Sequence, residues 1–516
     1  MISDAAGMRR LAARVGALDG WRRGLLTLAM GALAAFALPP YYVLPALVPA
    51  FVVLLWLLEG NRSPWRAALA GWLFGLGYFV VALHWVGHAF LVDPERFAAV
   101  MPFAIAGLSG GLALFPALAS ALALLAPPGW LRLLALASGW ALAEWLRGWL
   151  FTGFPWDPVG MVWFASDATA QGFALLGVQG VGFLTLIVAM APARLGRRRD
   201  LAAVLLLFAL VPLLYGAGSW RLSRAQPALV DGIGLRLVQG NIPQDEKWQR
   251  GRQVVNFRHY LELTAGSGGA RPNVVVWPET ATAFFLDEEP EARRAAGALL
   301  APGGYLLTGA PRRSRPAVAP FEIWNSLLAL APSGAVLRTY DKHHLVPFGE
   351  YLPFRALLSR VGLDKLTPGS IDYAAGDGPV RWQLPGLPAL QPLICYETIF
   401  PSEIGRPRAE WLLNVTNDAW FGTGAGPRQH LAHARARAIE LGLPMVRVAN
   451  TGVSAVIDPW GRILHRLDLG VTGVIDAGLP RPLARPPAYA TVREYWLVLP
   501  ALFLIFYVVS AFRQRN

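Results

Sequence analysis

Long uncharged apolar runs fill the first 220 residues, and one more lies near the C-terminus. A helix rises about 1.5 Å per residue, so roughly 20 apolar residues cross the hydrocarbon layer of a membrane. On this measure the pattern predicts seven membrane spans, a large domain and an eighth span. The predicted spans are Gly24–Leu58 (two spans with a turn at Pro39-Pro40), Ala67–Val92, Phe97–Leu131, Leu133–Phe151, Ala168–Ala193, Leu201–Trp220 and Tyr495–Phe512.

Two charges interrupt the fifth predicted span. Glu144 and Arg147 are three residues apart, so they share one face of a helix and can pair. They fit either a structural ion pair near the outer interface or a contact with a lipid headgroup, because charges within spans are often functional. The segment Phe151–Trp156 that follows is aromatic and nearly uncharged, and we expect it at the outer membrane interface.

From residue 232 onward, short apolar runs alternate with polar, helix-like stretches. The predicted strands are Leu235–Gln239, Val274–Trp277, Tyr305–Thr308, Ser326–Leu330, Val336–Thr339, Leu393–Cys395, Trp411–Val415, Val446–Ala449 and Ser454–Ile457. The predicted helices are Asp245–Leu263, Glu291–Leu300 and Arg428–Leu441, and Pro311–Pro320 is predicted to be a surface loop. This alternation indicates a layered α/β domain. The predicted parts are a transmembrane domain at 1–220, an extramembrane domain at 232–480 and a last span at 494–512.

The composition supports a membrane protein with a water-soluble part. Hydrophobic residues make up 55% of the 516 residues and charged residues only 15%, and the mean hydropathy is +0.42. These values exclude a disordered chain and are unusual for an ordinary soluble protein. The net charge of +13 could suggest a nucleic-acid partner, so the position of the basic residues decides the matter.

The arginines of the membrane part follow the positive-inside rule. Alternate loops between the predicted spans are rich in arginine, and the opposite loops hold only Arg96 and Arg147. The arginine-rich side comprises Arg9, Arg10, Arg14, Arg22, Arg23, Arg62, Arg66, Arg132, Arg194, Arg197, Arg198, Arg199, Arg513 and Arg515. This distribution predicts that both termini are cytoplasmic and that the large domain lies outside the cytoplasm. We therefore expect a membrane partner and no nucleic acid.

Cysteine and lysine are both scarce. The chain has one cysteine, which excludes an intrachain disulfide and a multi-cysteine metal site. The only lysines are Lys247, Lys342 and Lys365, and all other basic residues of the Lys/Arg class are arginines, which do not readily release a proton. Each lysine is therefore a candidate for a specific role, although Lys247 and Lys365 are predicted to be surface residues.

Three predicted strands end in a chemically capable residue, Glu279, Lys342 or Cys395. In α/β sheets, functional sites gather at the carboxyl ends of strands. There a carboxylate could take the thiol proton as general base, and a lysine could lower the thiol pKa and stabilise an oxyanion. The backbone N–H after the cysteine could be a second oxyanion donor. Taken singly, each residue also fits an inert role: a core cysteine, a turn glutamate and a solvated loop lysine.

The histidines carry weaker signals. His343 and His344 could act as bases, but adjacent residues of an extended segment point to opposite faces. His430 and His433 are three apart on a predicted helix, as metal ligands could be, yet no cysteine or aspartate cluster is evident beside them, so we expect no metal. Neither a phosphate-loop nor a dinucleotide fingerprint occurs in the sequence, and we expect no cofactor.

Three ordered motifs resemble the Glu–Lys–Cys signatures of the nitrilase superfamily: Trp277-Pro278-Glu279, Asp341-Lys342-His343 and Ile394-Cys395-Tyr396-Glu397. The longer segment Tyr340–Tyr351 is similar to the lysine motif of bacterial apolipoprotein N-acyltransferases. Further segments that fit this family are Gln239–Ile242 with Trp248, Asn417–Gly422, His430–Gly442 and the membrane segment Thr152–Trp156. The resemblance covers nearly the whole chain, including the seven spans before the domain and the one after it.

The resemblance implies a nitrilase-like α-β-β-α sandwich on the outer face of a bacterial inner membrane. It implies transfer of a fatty acyl chain from a phospholipid, typically phosphatidylethanolamine, to the N-terminal amine of a lipoprotein's diacylglyceryl-cysteine. Cys395 would be the nucleophile, Glu279 the general base and Lys342 the oxyanion partner. The implied supporting residues are Glu350 as a second carboxylate, Tyr396 and Glu397 beside the nucleophile, and Trp248 and Trp420 near the lipid-binding mouth. The two lipid substrates would react one after the other through a single thioester, and this order predicts ping-pong kinetics.

Two other functions stay open on the sequence. A membrane-tethered amidase or nitrilase would share Glu279, Lys342 and Cys395 but hydrolyse a small amide or nitrile. The predicted eight spans and the apolar, tryptophan-bearing loops argue against it. A channel, transporter or scaffold with an inactive domain is the second alternative, and the intact three-residue set and the scarcity of charges within the spans argue against it.

Overall fold

The computed structural model describes residues 2–195, 198–249, 251–266, 271–314, 321–358, 360, 371–406 and 408–513. The chain forms two compact units. The first comprises Met1–Gly87, Val100–Ala225 and Pro487–Asn516, and the second comprises His88–Ala99 and Gln226–Pro486. The predicted loop Pro311–Pro320 is only partly described: Pro311–Arg313 belong to a strand, and 315–320 lie outside the described residues, as does Lys365.

The first unit is helical. Its helices are Ile2–Gly16, Gly20–Ala35, Leu47–Glu59, Pro64–Leu83, Met101–Leu112, Leu114–Ala123, Trp130–Arg147, Asp167–Ala170, Phe173–Met190, Leu201–Ser223, Ala488–Val492 and Val498–Arg513. Among the described residues, five helical segments are long and apolar enough to cross a membrane: Pro64–Leu91, Met101–Ala123, Phe173–Arg194, Leu201–Ser223 and Ala488–Ser510. A shorter apolar helical segment spans Leu44–Glu59. A membrane part is therefore supported, and the count of eight spans stays a prediction.

Glu144 and Arg147 are both buried in this unit. Glu144 Oε1 accepts a hydrogen bond from the backbone N–H of Val159 at 2.9 Å. Arg147 Nη1 donates to the carbonyl oxygens of Phe154 and Trp156, at 3.0 and 2.5 Å. Arg147 thus holds the aromatic segment against their shared helix, and Glu144 holds the backbone just beyond that segment at Val159, which is a structural role for both. A lipid-headgroup contact is not tested by these contacts.

The second unit contains two β-sheets. Its strands are β1 Leu229–Gln239, β2 Val274–Val276, β3 Tyr305–Arg313, β4 Ile323–Leu330, β5 Val336–Asp341, β6 Leu390–Ile394, β7 Trp411–Thr416, β8 Met445–Ala449, β9 Ser454–Ile457, β10 Ile463–Leu467 and β11 Gly473–Pro480. One sheet has the order β11-β1-β2-β3-β4-β5, and the other has the order β10-β9-β8-β7-β6. Each strand predicted from the hydropathy pattern overlaps an observed one. The pattern does not predict β10 and β11, because both are largely half-exposed and mix polar with apolar residues.

The two sheets bury one face against each other. Their shared core includes Leu237, Val276, Leu307, Leu413 and Val448. The other face of the first sheet packs against the helices Arg252–Ala265 and Pro290–Gly297, and the helix Ala425–Leu441 contacts β8 of the second sheet. The layers are therefore α-β-β-α, as predicted, and a strand such as β2 is apolar throughout because both of its faces are covered.

The remaining helices of the second unit are short: Pro94–Phe97, Gln244–Lys247 and Arg355–Leu358. The single helix predicted over Asp245–Leu263 is wrong in one respect. It is two helices, Gln244–Lys247 and Arg252–Ala265, and Gly251 between them has a φ of 88°, which ends helical geometry. The first helix already ends at Lys247, and Gly251 is the N-cap of the second.

Strand directions bring the carboxyl ends of several strands to one place. β2 and β3 are parallel, and β5 runs with β3 because β4 is antiparallel to both. β6, β7 and β8 are also parallel to one another. The residues that follow β2 and β5 therefore share one edge of the first sheet, and those that follow β6 and β7 share one edge of the second.

Candidate active site

Cys395 lies at the point where β6 ends. It is the first residue of the 3₁₀ turn Cys395–Ile399 and has a φ of 50°, in the left-handed region that strains a residue with a side chain. Its side chain is buried. Burial raises the pKa of the Cys395 thiol, the charge of Glu279 raises it further, and the Lys342 ammonium lowers it. The net shift is upward, so the thiol needs a base before it can attack a carbonyl.

Glu279 follows β2, and both of its carboxylate oxygens are held. Oε1 accepts a hydrogen bond from Asn325 Nδ2 at 2.7 Å, and Oε2 accepts one from the backbone N–H of Asn417 at 2.7 Å. Gly309 packs so closely against this turn that a Cβ there would lie 2.6 Å from the Glu279 Cα atom, so a larger residue would displace the carboxylate. Glu279 is thus a buried, oriented carboxylate, as a general base requires.

Lys342 follows β5 and is almost completely buried. Its Nζ lies 2.9 Å from Glu350 Oε2 and 3.6 Å from Glu279 Oε1. Burial alone lowers the pKa of Lys342, but the carboxylates of Glu350 and Glu279 outweigh burial and raise the pKa above its ordinary value. Lys342 therefore keeps its positive charge at neutral pH, and such a charge can stabilise an oxyanion.

Asn325 joins the two carboxylates. Its side-chain Nδ2 donates to Glu279 Oε1 and to Glu350 Oε1, at 2.7 and 2.9 Å. Its backbone carbonyl oxygen accepts a hydrogen bond from the backbone N–H of Lys342 at 2.8 Å. No motif marks Asn325 in the sequence. The available signal is a polar side chain in the otherwise apolar run of β4, because a buried amide needs hydrogen-bond partners.

Glu397 connects the lysine loop to the cysteine turn. Its side chain is fully buried. Oε1 accepts hydrogen bonds from the Tyr340 hydroxyl at 2.8 Å and from the backbone N–H of His343 at 2.9 Å, while Oε2 accepts one from the backbone N–H of Ile394 at 2.7 Å. One carboxylate thus fixes the chain on both sides of Lys342 and just before Cys395.

Tyr396 and the two tryptophans lie in different surroundings. Tyr396 is buried, and its ring packs edge-on against Phe400 and His344, at centroid distances of 5.1 and 5.8 Å. Trp248 directly follows the short helix Gln244–Lys247 and is half-buried. Trp420 lies in a 3₁₀ turn after β7 and is also half-buried. The lipid-binding role of both tryptophans stays a prediction.

His343 and His344 do not point to opposite faces, contrary to the expectation for an extended segment. His343 Nε2 lies 2.8 Å from Glu403 Oε2, and His344 Nδ1 lies 3.0 Å from Glu403 Oε1. His343 Nδ1 also lies 2.7 Å from Glu397 Oε1. The segment after β5 is not extended, so alternation along a strand does not apply to it. His343 bridges two carboxylates rather than serving as a free base.

We expect the His343→Gln substitution to lower the free energy of unfolding by about 1–3 kcal/mol at pH 6, because Glu397 and Glu403 lose a charged partner. Burial lowers the pKa of His343, but the hydrogen bonds and charges of these carboxylates raise it to about 10. The stabilisation is therefore complete below the unfolded value of 6.5 and disappears as the pH rises through about 10. Thermal unfolding in detergent at pH 6, 8 and 10 measures the difference.

The control is His465→Gln, because His465 is an exposed histidine of β10. We expect this variant to unfold at the same temperature as the native protein at each pH. A deficit of His343→Gln that stays constant from pH 6 to pH 10 would show that His343 stabilises the fold without its charge.

Lys247 is not a surface residue, and that prediction is wrong. Its side chain is 2% exposed, and its Nζ donates a hydrogen bond to the backbone carbonyl of Glu279 at 3.2 Å. The polar run around Lys247 hides its burial, because the helix predicted there ends at Lys247 and the side chain contacts Glu279. The signal in the sequence that points to a specific role for Lys247 is the scarcity of lysine.

His430 has an aspartate beside it, so the reason given for expecting no metal is wrong. His430 Nδ1 lies 2.8 Å from Asp418 Oδ1, and ligand atoms of Cys395, Asp418 and His430 all lie within 4.8 Å of one another. However, Arg447 Nη2 donates to Asp418 Oδ2 at 2.7 Å and lies 3.1 Å from His430 Nδ1. Burial lowers the pKa of His430, and Arg447 lowers it further. The positive guanidinium of Arg447 contacts two of the three potential ligands, Asp418 and His430, and so opposes the binding of a metal cation. The absence of a metal stays a prediction.

Comparison with known proteins covers nearly the full chain. Residues 30–191 match the family model of the apolipoprotein N-acyltransferase N-terminal domain, and residues 235–489 match the carbon-nitrogen hydrolase model. An apolipoprotein N-acyltransferase of Rhodopseudomonas palustris is 42% identical over 530 residues, which is 99% of this chain and 98% of the relative. One of Bradyrhizobium diazoefficiens is 42% identical over 533 residues and covers 98% of both chains.

Among solved structures, a CN-hydrolase superfamily protein of Xanthomonas campestris is 22% identical, with a TM-score of 0.34, and the match covers 54% of this chain and 97% of that one. The carbon-nitrogen hydrolase match and the α-β-β-α layers define an enzyme domain of the nitrilase superfamily. The full-length relatives are more specific: the chain belongs to the apolipoprotein N-acyltransferase family, as its motifs predict.

Proposed function

We propose that this acyltransferase moves a fatty acyl chain from a membrane phospholipid, with phosphatidylethanolamine as the donor, through a Cys395 thioester to an apolipoprotein. The acceptor is the N-terminal amine of the diacylglyceryl-cysteine, and the product is the mature lipoprotein. The observation that carries the proposal is the position of Glu279, Lys342 and Cys395 in a chain of this family: Lys342 and Cys395 directly follow a strand, Glu279 is the third residue after one, and the three groups are electrostatically coupled.

The first half-reaction forms the thioester. Glu279 takes the proton of the Cys395 thiol, and Sγ attacks the ester carbonyl carbon of the phospholipid. The carbonyl oxygen becomes an oxyanion, held by Lys342 and by the backbone N–H of Tyr396. The C–O ester bond then breaks, Glu279 returns the proton to the leaving oxygen, and a lysophospholipid departs. Cys395 holds a left-handed φ of 50° at the point where the strand ends and the 3₁₀ turn begins, as strained residues at functional sites often do.

The second half-reaction transfers the acyl chain to nitrogen. The α-amino group of the diacylglyceryl-cysteine attacks the thioester carbonyl and loses a proton to Glu279. The C–S bond breaks, and Sγ recovers that proton. Because the lysophospholipid leaves before the acceptor reacts, the kinetics are ping-pong.

The other predicted site residues support these groups. Glu350 pairs with Lys342 and fixes its position. Glu397 holds the backbone just after Lys342 and just before the nucleophile, and the Tyr396 ring packs against Phe400 and His344. We assign Trp248 and Trp420 to the lipid-binding mouth, since a half-buried indole combines a large apolar face with one polar N–H.

We place the catalytic domain, residues 232–480, on the periplasmic side of a bacterial inner membrane, with spans in 1–220 and 494–512 and both termini in the cytoplasm. The arginine distribution and the five long apolar helices support this arrangement. A membrane location also suits the substrates. Removing an acyl chain from the bilayer costs about 0.8 kcal/mol per CH₂, so both lipids must react where they are anchored.

The test follows the acyl chain. Purified protein is incubated with acyl-labelled phosphatidylethanolamine without acceptor, and then with a diacylglyceryl-cysteine peptide. We expect a hydroxylamine-labile label on the protein that moves to the peptide amine. The matched control is the same protein treated beforehand with N-ethylmaleimide, because the chain has one cysteine and the reagent can block no other thiol.

Three outcomes would contradict the proposal. A label that still forms after alkylation would place the nucleophile elsewhere than Cys395. A folded, unlabelled protein that hydrolyses small amides would be a membrane-tethered amidase. A transport activity that survives alkylation, without labelling, would favour the transporter alternative.

A further inference from the structure

Lys247 is the second buried lysine beside Glu279. Its Nζ donates to the Glu279 backbone carbonyl at 3.2 Å, and that carbonyl leads into Thr280, which has a φ of 47°. The short helix that carries Lys247 is held from another side as well, since Asn417 Nδ2 donates to Gln244 Oε1 at 2.7 Å. The lysine is therefore fixed against the base-bearing turn and cannot swing into solvent.

Among the described residues, no ion pair compensates the charge of Lys247. In the part of the chain that the structure describes, Lys342 forms ion pairs with Glu279 and Glu350, whereas Lys247 forms none. An ammonium group has three N–H donors, and the Glu279 carbonyl takes one of them. Burying an unpaired charge is unfavourable. A buried ammonium whose sole partner is a backbone carbonyl therefore requires a further interaction that stabilises its charge.

The charges around Cys395 supply that interaction. With a neutral thiol, Lys342, Glu279 and Glu350 leave one uncompensated negative charge. A protonated Lys247 brings the buried group to zero. Lys247 contacts the backbone of Glu279, and although burial lowers the pKa of Lys247, the charges of Glu279 and Cys395 both raise it.

The neighbouring charges are already matched, so none of them serves the same purpose. Among the described residues, Asp418 pairs with Arg447, Glu397 contacts His343, and Glu403 contacts both His343 and His344. On the helix of Lys247 itself, Asp245 is exposed and Glu246 pairs with Arg252 at 3.1 Å. Lys247 is thus the cation left to balance Glu279, Glu350 and Lys342.

We propose that Lys247 is a second cation of the active site, which keeps the buried charge balanced while the Cys395 thiolate and then the oxyanion form. When the thiol proton moves to Glu279, the thiolate and Glu350 are negative and Lys342 and Lys247 are positive. When Sγ bonds to carbon, the oxyanion replaces the thiolate and the sum is unchanged. Lys247 touches Glu279 rather than the reacting atoms, so it is a positioning residue. The proposal rests on the thioester chemistry proposed above.

The protonation of Lys247 sets an upper pH limit for rapid thioester formation. Burial lowers the pKa of Lys247 from 10.5 to about 8, against the charges of Glu279 and Cys395, which raise it. Lys247 is therefore mostly charged at pH 7 and mostly neutral above pH 8. We expect the rate of thioester formation to fall as the pH rises through about 8.

The test is single-turnover labelling by acyl-labelled phosphatidylethanolamine from pH 6 to pH 9.5. Lys247→Arg keeps the charge, so we expect a rate within about threefold of the native protein at pH 7 and no fall above pH 8. Lys247→Gln keeps a hydrogen-bond donor without the charge, so we expect a loss of about 30-fold at pH 7 and no fall above pH 8. Glu246→Gln changes a charge on the same helix outside the site, and we expect a native profile.

A native rate in Lys247→Gln would overturn the proposal, as would a fall above pH 8 that Lys247→Arg retains. The second comparison needs only the charge-keeping variant, so it stands even where the glutamine variant does not fold. Absence of label on the native protein at every pH would instead contradict the thioester chemistry itself, so the two failures are distinguishable.

Discussion

Replacing Cys395 by alanine is expected to abolish both the labelling of the enzyme and the N-acylation of a diacylglyceryl-cysteine peptide. The chain has one cysteine, so no second thiol can substitute for it. Direct attack of the amine on a phospholipid ester would have to proceed without covalent catalysis, which divides one difficult step into two easier ones. The measurement is the yield of N-acylated peptide in a reaction of several hours, with the acyl-labelled donor in excess.

The fold is expected to survive this change. The thiol is neutral at rest, because its pKa is raised, so its removal leaves the surrounding charges in balance. Alanine at a φ of 50° carries the same backbone strain as cysteine. We therefore expect an unfolding free energy within about 1 kcal/mol of the native value, the cost of a small cavity.

Cys395→Ser is the matched variant, because it keeps a nucleophilic atom in nearly the same position. A hydroxyl is far less acidic than a thiol, and the site already raises the pKa of the thiol. We expect serine to retain at most about one thousandth of the native rate. Full peptide acylation by the alanine variant would mean that the acyl chain passes directly from phospholipid to amine, without an enzyme-bound stage.

Residues that follow strands could be located from the sequence because the signal is local. Glu279 and Cys395 come at or near the end of a short apolar run, and parallel neighbours bring such ends together. The shared core between the sheets follows from the same apolar runs. The half-exposed strands β10 and β11 lack that signal, because their packing depends on partners far away in the chain.

The contacts that the sequence did not predict join residues that are distant along the chain. Asn325 bonds to Glu279 across 46 residues, and Asn417 bonds to it across 138. Lys247 contacts the backbone of Glu279, and His430 meets Asp418 only because its helix packs beside the end of β7. Periodicity describes which face a residue occupies, but it does not specify which residue of another element it meets.

The Glu279→Gln substitution is expected to slow thioester formation by about three orders of magnitude at pH 7. Glutamine has nearly the same shape and can still accept the hydrogen bond of Asn325 on its amide oxygen. It cannot take a proton, and the pKa of Cys395 is raised, so little thiolate forms without a base. Single-turnover labelling with acyl-labelled phosphatidylethanolamine measures the rate.

The pH dependence distinguishes loss of a base from general damage to the site. Without Glu279, the thiol must lose its proton to solvent, so the rate of the variant should rise about tenfold per pH unit between pH 6 and pH 7, below the pH at which Lys247 loses its charge. The native protein should not show this rise, because its base is already in place. A pH-independent residual rate in the variant would contradict the role of base.

Glu350→Gln is the control that isolates proton transfer from charge. Glu350 and Glu279 are equally buried, both contact Lys342, and both accept a hydrogen bond from Asn325, so the two substitutions remove the same charge from the same partners. Of these two carboxylates, only Glu279 follows one of the strands whose ends meet at the site, and only Glu279 accepts a hydrogen bond from the backbone N–H of Asn417. We expect Glu350→Gln to lose about tenfold, through a less firmly held Lys342, and to keep the native pH profile. Equal losses with equal profiles would mean that Glu279 acts only by fixing Lys342, and the base would then have to be another group.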